Sequence, residues 1–427
     1  MTCARIRYCR RHLQCKRYRS TADFTARYAR ETRSLKPEKR WRVLVALSLA
    51  RVSMGFQFQA VASTAPLLSD SLGFDQAQIG WLVGLYLLPG AALALPGGML
   101  GARFGDKRVT LLGLILMAAG GLGFALSSNI VGASIARAVM GMGAVLLNVL
   151  FTKMVTDWFA GRERVLAMSI LVNTWPIGIA LALLTLGALA QGVSWQAAFV
   201  ATAGLAVLGM VSVSLGYTPA PGAPIAQKAD LGSLTRREWL LVFATGLPWM
   251  FYNAAYNLLV AFLPTYFVRS GLSIVSAGGL TALNTILSIA SIQAGGLLVR
   301  RYGRADPIVY LSLAGWVLAL LGLLTSGTVL PWIVASGLIT GLPVGVFISR
   351  PGEVLRAETR STGMGVFYTI FYVGMAIVPP LAGAMSDRTA SSAAPIWFAA
   401  ACITVCAGAH ALGRSLQRSL AAEAPLA

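Results

Sequence analysis

Residues 97–108 of this chain read GGMLGARFGDKR, and residues 295–304 read GGLLVRRYGR. Each segment is short, basic and rich in glycine, and each lies between two long apolar stretches. The second copy begins 198 residues after the first, which is about half of the chain. A basic connection that recurs at this distance indicates two like halves, and the apolar stretches around it indicate that both halves cross a membrane.

The composition also indicates a membrane protein. Of the 427 residues, 56% are hydrophobic and only 12% are charged, whereas an average soluble domain carries about 25% charged residues. The formal net charge of +20 does not indicate a nucleic-acid partner, because residues 1–42 hold 14 Lys and Arg against three acids and the remaining excess lies between apolar stretches. The five cysteines have spacings that favour neither a disulfide nor a metal site, so we expect no metal and no cofactor.

Twelve apolar stretches are long enough to cross a hydrocarbon core of about 30 Å. Because backbone groups in lipid need partners within their own segment, we expect each stretch to be helical. The expected fold class is all-α and integral to the membrane, with 12 transmembrane helices in two pseudo-symmetric six-helix halves. The spans are expected near residues 43–68, 76–96, 109–128, 130–154, 165–190, 196–216, 239–268, 274–299, 307–326, 330–350, 362–385 and 394–413.

The loop charges predict the orientation. The loops after the even-numbered spans carry fifteen Lys and Arg, whereas those after the odd-numbered spans carry only Arg269 and Arg388. Basic loops stay on the cytoplasmic side of a membrane. We therefore expect a multi-pass protein of the plasma (inner) membrane with both termini in the cytoplasm, embedded in the lipid bilayer as a monomer.

The expected organisation has five parts. Residues 1–42 form a basic cytoplasmic tail, expected to be disordered and to rest on anionic lipid; an upstream-extended gene model and an organellar targeting segment stay open as alternatives. Residues 43–216 form the first six-helix half and residues 239–413 the second. Residues 217–238 form a cytoplasmic linker between them, and residues 414–427 form a second cytoplasmic tail.

Two segments resemble motifs of the major facilitator superfamily. Its fourth-helix motif, Arg-x-x-x-Gly-x-Gly, is present as residues 137–143, RAVMGMG. Its loop motif, Gly-x-Leu-x-Asp-Arg-x-Gly-Arg/Lys-Arg/Lys, is matched in outline, with Asp106 inserted and Ala102 where the family has an acid that helps to latch the halves together. The matching loop residues are Gly98, Leu100, Arg103, Gly105, Lys107 and Arg108.

The resemblance covers about residues 43–413. It implies a secondary active or facilitative transporter that moves a small solute by alternating access. Within the superfamily, residues 51–59, RVSMGFQFQ, and residues 86–90, YLLPG, look most like the cyanate-permease-like group.

Arg51 and Arg137 are the charged candidates for substrate binding. Arg51 lies about eight residues into the first span, near the bilayer centre, where an arginine costs about 2.5–3.5 kcal/mol. All fifteen acidic residues lie in the tail, in loops or at span edges, so neither arginine has an acidic partner within the membrane. An anionic substrate would supply one. In the alternative, Arg51 reaches the interface or pairs with a helix C-terminus, and Arg137 packs against backbone carbonyls.

Polar and aromatic residues at helical spacing extend the candidate substrate site, most clearly in the seventh span, where five of them share one face. The alternative for each is hydrogen bonding between helices or aromatic packing. Besides the two arginines, the candidate set comprises Gln59, Asn173, Trp249, Tyr252, Asn253, Tyr256, Asn257, Asn284, Ser288, Tyr368 and Tyr372.

The two glycine-rich segments are candidates for gating. Their basic residues set the topology, or they contact helix ends when the cytoplasmic side closes, or they do both. The gating candidates are Gly98, Arg103, Gly105, Lys107, Arg108, Gly296, Arg301, Gly303 and Arg304.

The sequence thus predicts a transporter of a small anionic solute and not an enzyme, since it contains no phosphate-binding loop with a Lys-Ser/Thr end and no metal cluster. A proton-driven exporter of lipophilic drugs and a non-transporting membrane sensor of the same fold remain alternatives. The exporter lacks the expected buried carboxylate, and the sensor lacks a loop long enough for a folded soluble domain. The identity of the substrate, the direction of transport and the coupling ion stay open.

Overall fold

The computed structural model describes residues 37–159, 161–220, 234–356 and 359–422. Within these ranges the chain forms fourteen α-helices and no strand, which confirms the all-α fold class. Residues 1–36 of the predicted tail, 221–233 of the predicted linker and 423–427 of the second tail lie outside the described residues.

The first half begins at Pro37, earlier than the predicted first span. Its helices are α1 (Pro37–Leu72), α2 (Gln76–Leu85), α3 (Pro89–Phe104), α4 (Asp106–Ala125), α5 (Ile130–Trp158), α6 (Gly161–Gly192) and α7 (Trp195–Gly216). The helices of the second half are α8 (Arg236–Arg269), α9 (Ile274–Tyr302), α10 (Ala305–Thr325), α11 (Leu330–Thr340), α12 (Val344–Val354), α13 (Arg360–Thr389) and α14 (Ala394–Ala422).

Eleven helical stretches of the described chain are long and apolar enough to cross a membrane. The other long helix is α8, which has 34 residues. Its inner part carries Trp249, Tyr252, Asn253, Tyr256 and Asn257, whose polar atoms lower its hydropathy. With α8, the helices match the expected twelve crossings.

Two of the predicted spans are broken near their middle. α2 ends at Leu85 and α3 begins at Pro89, while α11 ends at Thr340 and α12 begins directly after Pro343. A proline has no backbone N–H and clashes with the preceding turn, so it is accommodated best where a helix starts. Each proline therefore begins a new helical segment within one crossing.

Helix ends gather at two faces of the molecule. The basic face is the one at which α1 and α8 begin, and it contains both glycine-rich turns. Gly105 and Gly303 adopt φ angles of +91° and +64° in these turns, a conformation in which a side chain is strained. The far face is the opposite one, where α1 ends and α2 begins.

The two halves pack against each other towards the far face, through α2 with α13, α6 with α9, and α1 with α8. The approach is close: a Cβ atom on Gly80 would lie 2.3 Å from the carbonyl oxygen of Pro379, and one on Gly278 would lie 2.3 Å from that of Leu183. At the basic face, by contrast, each ion pair between described residues joins residues of one half. The molecule is closed at the far face.

Candidate functional site

Arg51 lies on α1 with its guanidinium buried between helices of the first half. Nη1 donates to the backbone carbonyl of Leu171 on α6 (3.2 Å), and Nη2 donates to Oδ1 of Asn148 on α5 (2.9 Å). The residue is 8% exposed, and its buried Nε has no partner. Leu171 lies well inside α6, so Arg51 does not cap a helix C-terminus. Among the described residues, its positive charge meets only neutral groups.

Asn148 connects Arg51 to the second half. Its Nδ2 donates to the hydroxyl of Tyr372 on α13 (3.0 Å), and the hydroxyls of Tyr368 and Tyr372 lie near enough to Arg51 to interact with it electrostatically. Sequence reasoning missed Asn148. The available signal was its spacing of eleven residues, about three helical turns, from Arg137 in the same span.

An aromatic wall, formed by Trp249, Tyr368, Phe371 and Tyr372, continues from this contact. The ring of Phe371 lies 5.0 Å from that of Tyr372, 6.4 Å from that of Tyr368 and 6.2 Å from that of Trp249. The indole Nε1 of Trp249 is buried without a hydrogen-bond acceptor. The candidate site therefore combines one buried cation with apolar rings and an unused donor.

Arg137 has different surroundings, although it is also buried. Nε donates to the carbonyl of Leu82 (2.9 Å), Nη1 to that of Gln57 (2.8 Å) and Nη2 to that of Phe58 (2.6 Å). Its guanidinium carbon lies 4.5 Å from the centre of the Tyr86 ring. Leu82 belongs to the last turn of α2, whose free carbonyls attract a cation. These contacts match the alternative role, and substrate contact by Arg137 stays a prediction.

Several other predicted residues bond to backbone carbonyls. Tyr252 donates to Thr340 (2.7 Å), Asn284 to Ile333 (3.1 Å), Ser288 to Thr285 (2.7 Å) and Asn253 to Trp249 (2.7 Å), all within the second half. Gln59 instead reaches across the halves, since its Nε2 donates to Val260 on α8 (2.6 Å).

The remaining predicted residues have no such bonds among the described contacts. Asn257 is 1% exposed, and neither of its side-chain polar atoms has a partner. Tyr256 and Asn173 are half-buried on α8 and α6. The structure therefore brings Arg51, Tyr368, Tyr372 and Trp249 into one connected cluster, and the binding roles of the other candidates stay predictions.

The gating candidates lie at the basic face. Lys107 donates to the carbonyls of Ser214 (2.8 Å) and Tyr217 (3.1 Å) at the end of α7, within its own half. Four arginines of the two turns are exposed, and Gly98 and Gly296 lie inside α3 and α9. No described contact of these residues joins the two halves, so their gating role stays a prediction. The four exposed residues are Arg103, Arg108, Arg301 and Arg304.

Sequence reasoning also missed an acid–base pair in each half. Asp106, which sequence comparison treats only as an insertion, forms an ion pair with Lys153. Asp306 pairs with Arg350 at 2.6 Å. Each Asp lies one to three residues after the positive-φ glycine of its turn. Each basic partner lies near the basic face at the end of the second crossing after that turn, on α5 in the first half and on α12 in the second. The two pairs are equivalent in the two halves.

The fold and the site together define a carrier: two six-helix halves meet around a buried cation and an aromatic wall. A family model described as Major Facilitator Superfamily matches residues 47–379. The chain belongs to this superfamily and is a transmembrane transporter. The narrower likeness to the cyanate-permease-like group stays a prediction.

Individual relatives agree with this assignment. The chain is 29% identical over 363 residues to a 3-(3-hydroxy-phenyl)propionate transporter of Escherichia coli, an alignment that covers 79% of this chain and 85% of the relative. It is 25% identical over 270 residues to a hexuronate transporter of Bacillus subtilis, with 60% and 63% covered.

Solved structures show the same fold at lower identity. The inward-open xylose transporter of E. coli superposes with a TM-score of 0.69 at 13% identity, over 86% of this chain and 95% of that one. A peptide transporter superposes with a TM-score of 0.71 at 15% identity, over 88% and 95%.

Proposed function

We propose that the protein carries a small organic anion, a carboxylate with an aromatic or otherwise flat apolar body, across the membrane by alternating access. The observation that carries the proposal is the buried guanidinium of Arg51, whose described partners are two neutral oxygens and whose Nε is unused. A buried charge without a counter-ion is costly. A substrate carboxylate compensates that charge and accepts paired hydrogen bonds from the planar guanidinium.

The aromatic wall supports the second part of the proposal. Tyr368 and Tyr372 are near Arg51, and their ring contacts lead through Phe371 to Trp249. A flat apolar substrate body can stack on such rings, while the unused Nε1 of Trp249 can donate to a polar substituent. The two relatives reported above are named for carriage of a phenylpropionate and of a hexuronate, and both of these are carboxylates.

Among the described residues, no carboxylate lies beside Arg51 to bind and release a coupling proton. This favours exchange, facilitated diffusion or co-transport of a proton on the substrate itself. We propose that the basic face lies in the cytoplasm of a plasma (inner) membrane, because the even-numbered spans end at this face and the sequence has fifteen Lys and Arg in the loops that follow them. We further propose that the monomer is the working unit and that it performs no enzymatic chemistry.

Uptake into proteoliposomes tests the proposed function. The probe is labelled 3-phenylpropionate, with its neutral amide as the matched uncharged solute, in vesicles preloaded with the unlabelled acid. The native protein should exchange the acid and not the amide. Arg51→Gln should lower exchange by about tenfold or more, because the guanidinium that binds the carboxylate is gone. Arg269→Gln removes an exposed arginine at the far-face end of α8, outside both candidate sets, and is the matched control, for which no loss is expected.

Equal uptake of the acid and the amide, or equal uptake by Arg51→Gln and the native protein, would contradict the proposal. Preferential uptake of neutral lipophilic solutes would instead favour the drug exporter. A ligand that binds without any flux would favour the membrane sensor.

A further inference from the structure

The short helix α2 is held at both ends by charged side chains from other helices. At its N-terminus, Asp387 of α13 accepts hydrogen bonds from the backbone N–H groups of Gln76 (3.1 Å) and Ala77 (2.8 Å). At its C-terminus, Arg137 donates to the carbonyl of Leu82. An anion at the N-terminus and a cation at the C-terminus both complement the helix dipole.

The two contacts differ in which half supplies the charge. Arg137 belongs to the same half as α2, so its bond is kept when the halves move apart. Asp387 belongs to the second half, so its bonds cross the interface that is closed at the far face. Asp75 completes the cap from within the first half, since its carboxylate accepts from the N–H of Gln78 (2.7 Å).

From Asp387 towards the candidate site, α2 and α13 remain in close contact. A Cβ on Gly383 would lie 2.0 Å from the carbonyl oxygen of Gln76, and one on Gly84 would lie 2.4 Å from that of Ala376. Further along, a Cβ on Gly90 would lie 2.5 Å from the Tyr372 ring, and Tyr372 accepts the hydrogen bond from Asn148.

We infer that Asp387 is a latch: by capping α2 across the two halves, it holds the far face closed and sets how often the site opens there. Opening the far face must separate α2 from α13, and this exposes the N–H groups of Gln76 and Ala77 to water. Two charge-assisted hydrogen bonds are then lost with the dipole interaction. The inference concerns the closed state alone and does not depend on the identity of the substrate.

A cysteine at position 63 reports on this opening. Ser63 is 4% exposed and lies one turn beyond Gln59, on the side of α1 that contacts α8. The five native cysteines are replaced by alanine, and Ser63→Cys is labelled with a membrane-impermeant maleimide in sealed vesicles. Thr328→Cys, in an exposed far-face loop, identifies the vesicle orientation that presents the far face.

In this background, Asp387→Ala should raise the labelling rate of Ser63→Cys by about five- to tenfold, and Asp387→Asn by less, because one acceptor oxygen is kept. Asp75→Ala is the matched control: it removes a cap from the same helix without touching the interface, so the rate should not change. Size-exclusion profiles identify any variant that fails to fold.

An unchanged rate in both Asp387 variants would overturn the inference. So would an equal rise in Asp75→Ala, since that result would attribute the effect to the stability of α2 alone. Neither outcome depends on anion transport, so failure of the latch and failure of the proposed function are distinguishable.

Discussion

Arg51 and Arg137 are both buried in the first half, but only one of them has its charge compensated by the protein. Arg137 donates to three carbonyls, one of them in the last turn of α2, and lies against the Tyr86 ring. Arg51 donates to one carbonyl and one amide oxygen and keeps an unused Nε. Their replacement should therefore have opposite consequences for folding and for binding.

Replacing Arg137 should chiefly affect stability. Arg137→Gln removes the guanidinium hydrogen bonds to the carbonyls of Leu82, Gln57 and Phe58, which we expect to cost about 3 kcal/mol. Thermal unfolding in detergent should show a clear decrease in Tm for Arg137→Gln and little change for Arg51→Gln. A larger decrease for Arg51→Gln would show that the two roles are assigned the wrong way round.

Asn148 offers a second test at the residue scale. Asn148→Asp places a carboxylate at the atom that now accepts from Arg51, so the protein supplies the counter-ion that we assign to the substrate. Thermal-shift titration with 3-phenylpropionate should show affinity lower by about tenfold, or about 1.4 kcal/mol, with unliganded Tm unchanged or higher. Asn129→Asp, at the N-cap of α5 on the far face, is the control. Unchanged affinity in Asn148→Asp would speak against a carboxylate at Arg51.

At this scale the sequence revealed the charges but not their partners. Arg51 and Arg137 are conspicuous because an ionised group inside an apolar span is costly. Whether its partner is a carbonyl or a ligand depends on helices that are distant in sequence, such as α2 for Arg137. A lone asparagine such as Asn148 is not conspicuous in the same way, because many asparagines bond only between helices.

At the scale of elements, α2 and α13 form the tightest described contact between the halves. Pro380 lacks the N–H that would bond to the carbonyl of Ala376, and this carbonyl faces Gly84 instead. The fit requires glycine, because any Cβ would collide with backbone atoms and not with a flexible side chain.

Gly84→Ala should therefore destabilise the closed far face. A Cβ 2.4 Å from the Ala376 oxygen forces the two helices apart, so we expect slower anion exchange and faster labelling of Ser63→Cys. Gly204→Ala on α7 has open space around its Cβ and should be neutral or slightly stabilising, since alanine favours a helix by about 1 kcal/mol over glycine. Similar behaviour of the two variants would show that this contact does not control closure.

Helices were predictable from hydropathy, whereas their breaks were not. The windows find crossings because each needs about 20 apolar residues. The hydropathy windows merge α2 and α3 into one predicted span, and likewise α11 and α12, because the sequence on both sides of Pro89 and of Pro343 is apolar. The aromatic and asparagine residues of α8 were noticed as a face, but the connection of Trp249 to Arg51 passes through Phe371 and Tyr372 of another helix.

At the scale of the whole molecule, the two halves share their design but not their site residues. The acid–base pairs Asp106–Lys153 and Asp306–Arg350 repeat in both halves, as do the positive-φ turns at Gly105 and Gly303. The sequence repeat predicted the duplicated turns but not the ion pairs. It could not predict which face is closed, because that depends on contacts such as Asp387 with α2 that have no counterpart in the repeat.

The central claim is that Arg51 recognises the negative charge of the substrate, and a binding comparison tests it most directly. Calorimetric titration gives the affinities of 3-phenylpropionate and its neutral amide for the native protein and for Arg51→Gln. We expect the native protein to prefer the acid by about tenfold or more, and this preference to vanish in Arg51→Gln while the amide binds both proteins alike. A preference for the acid that survives intact in Arg51→Gln would contradict the account.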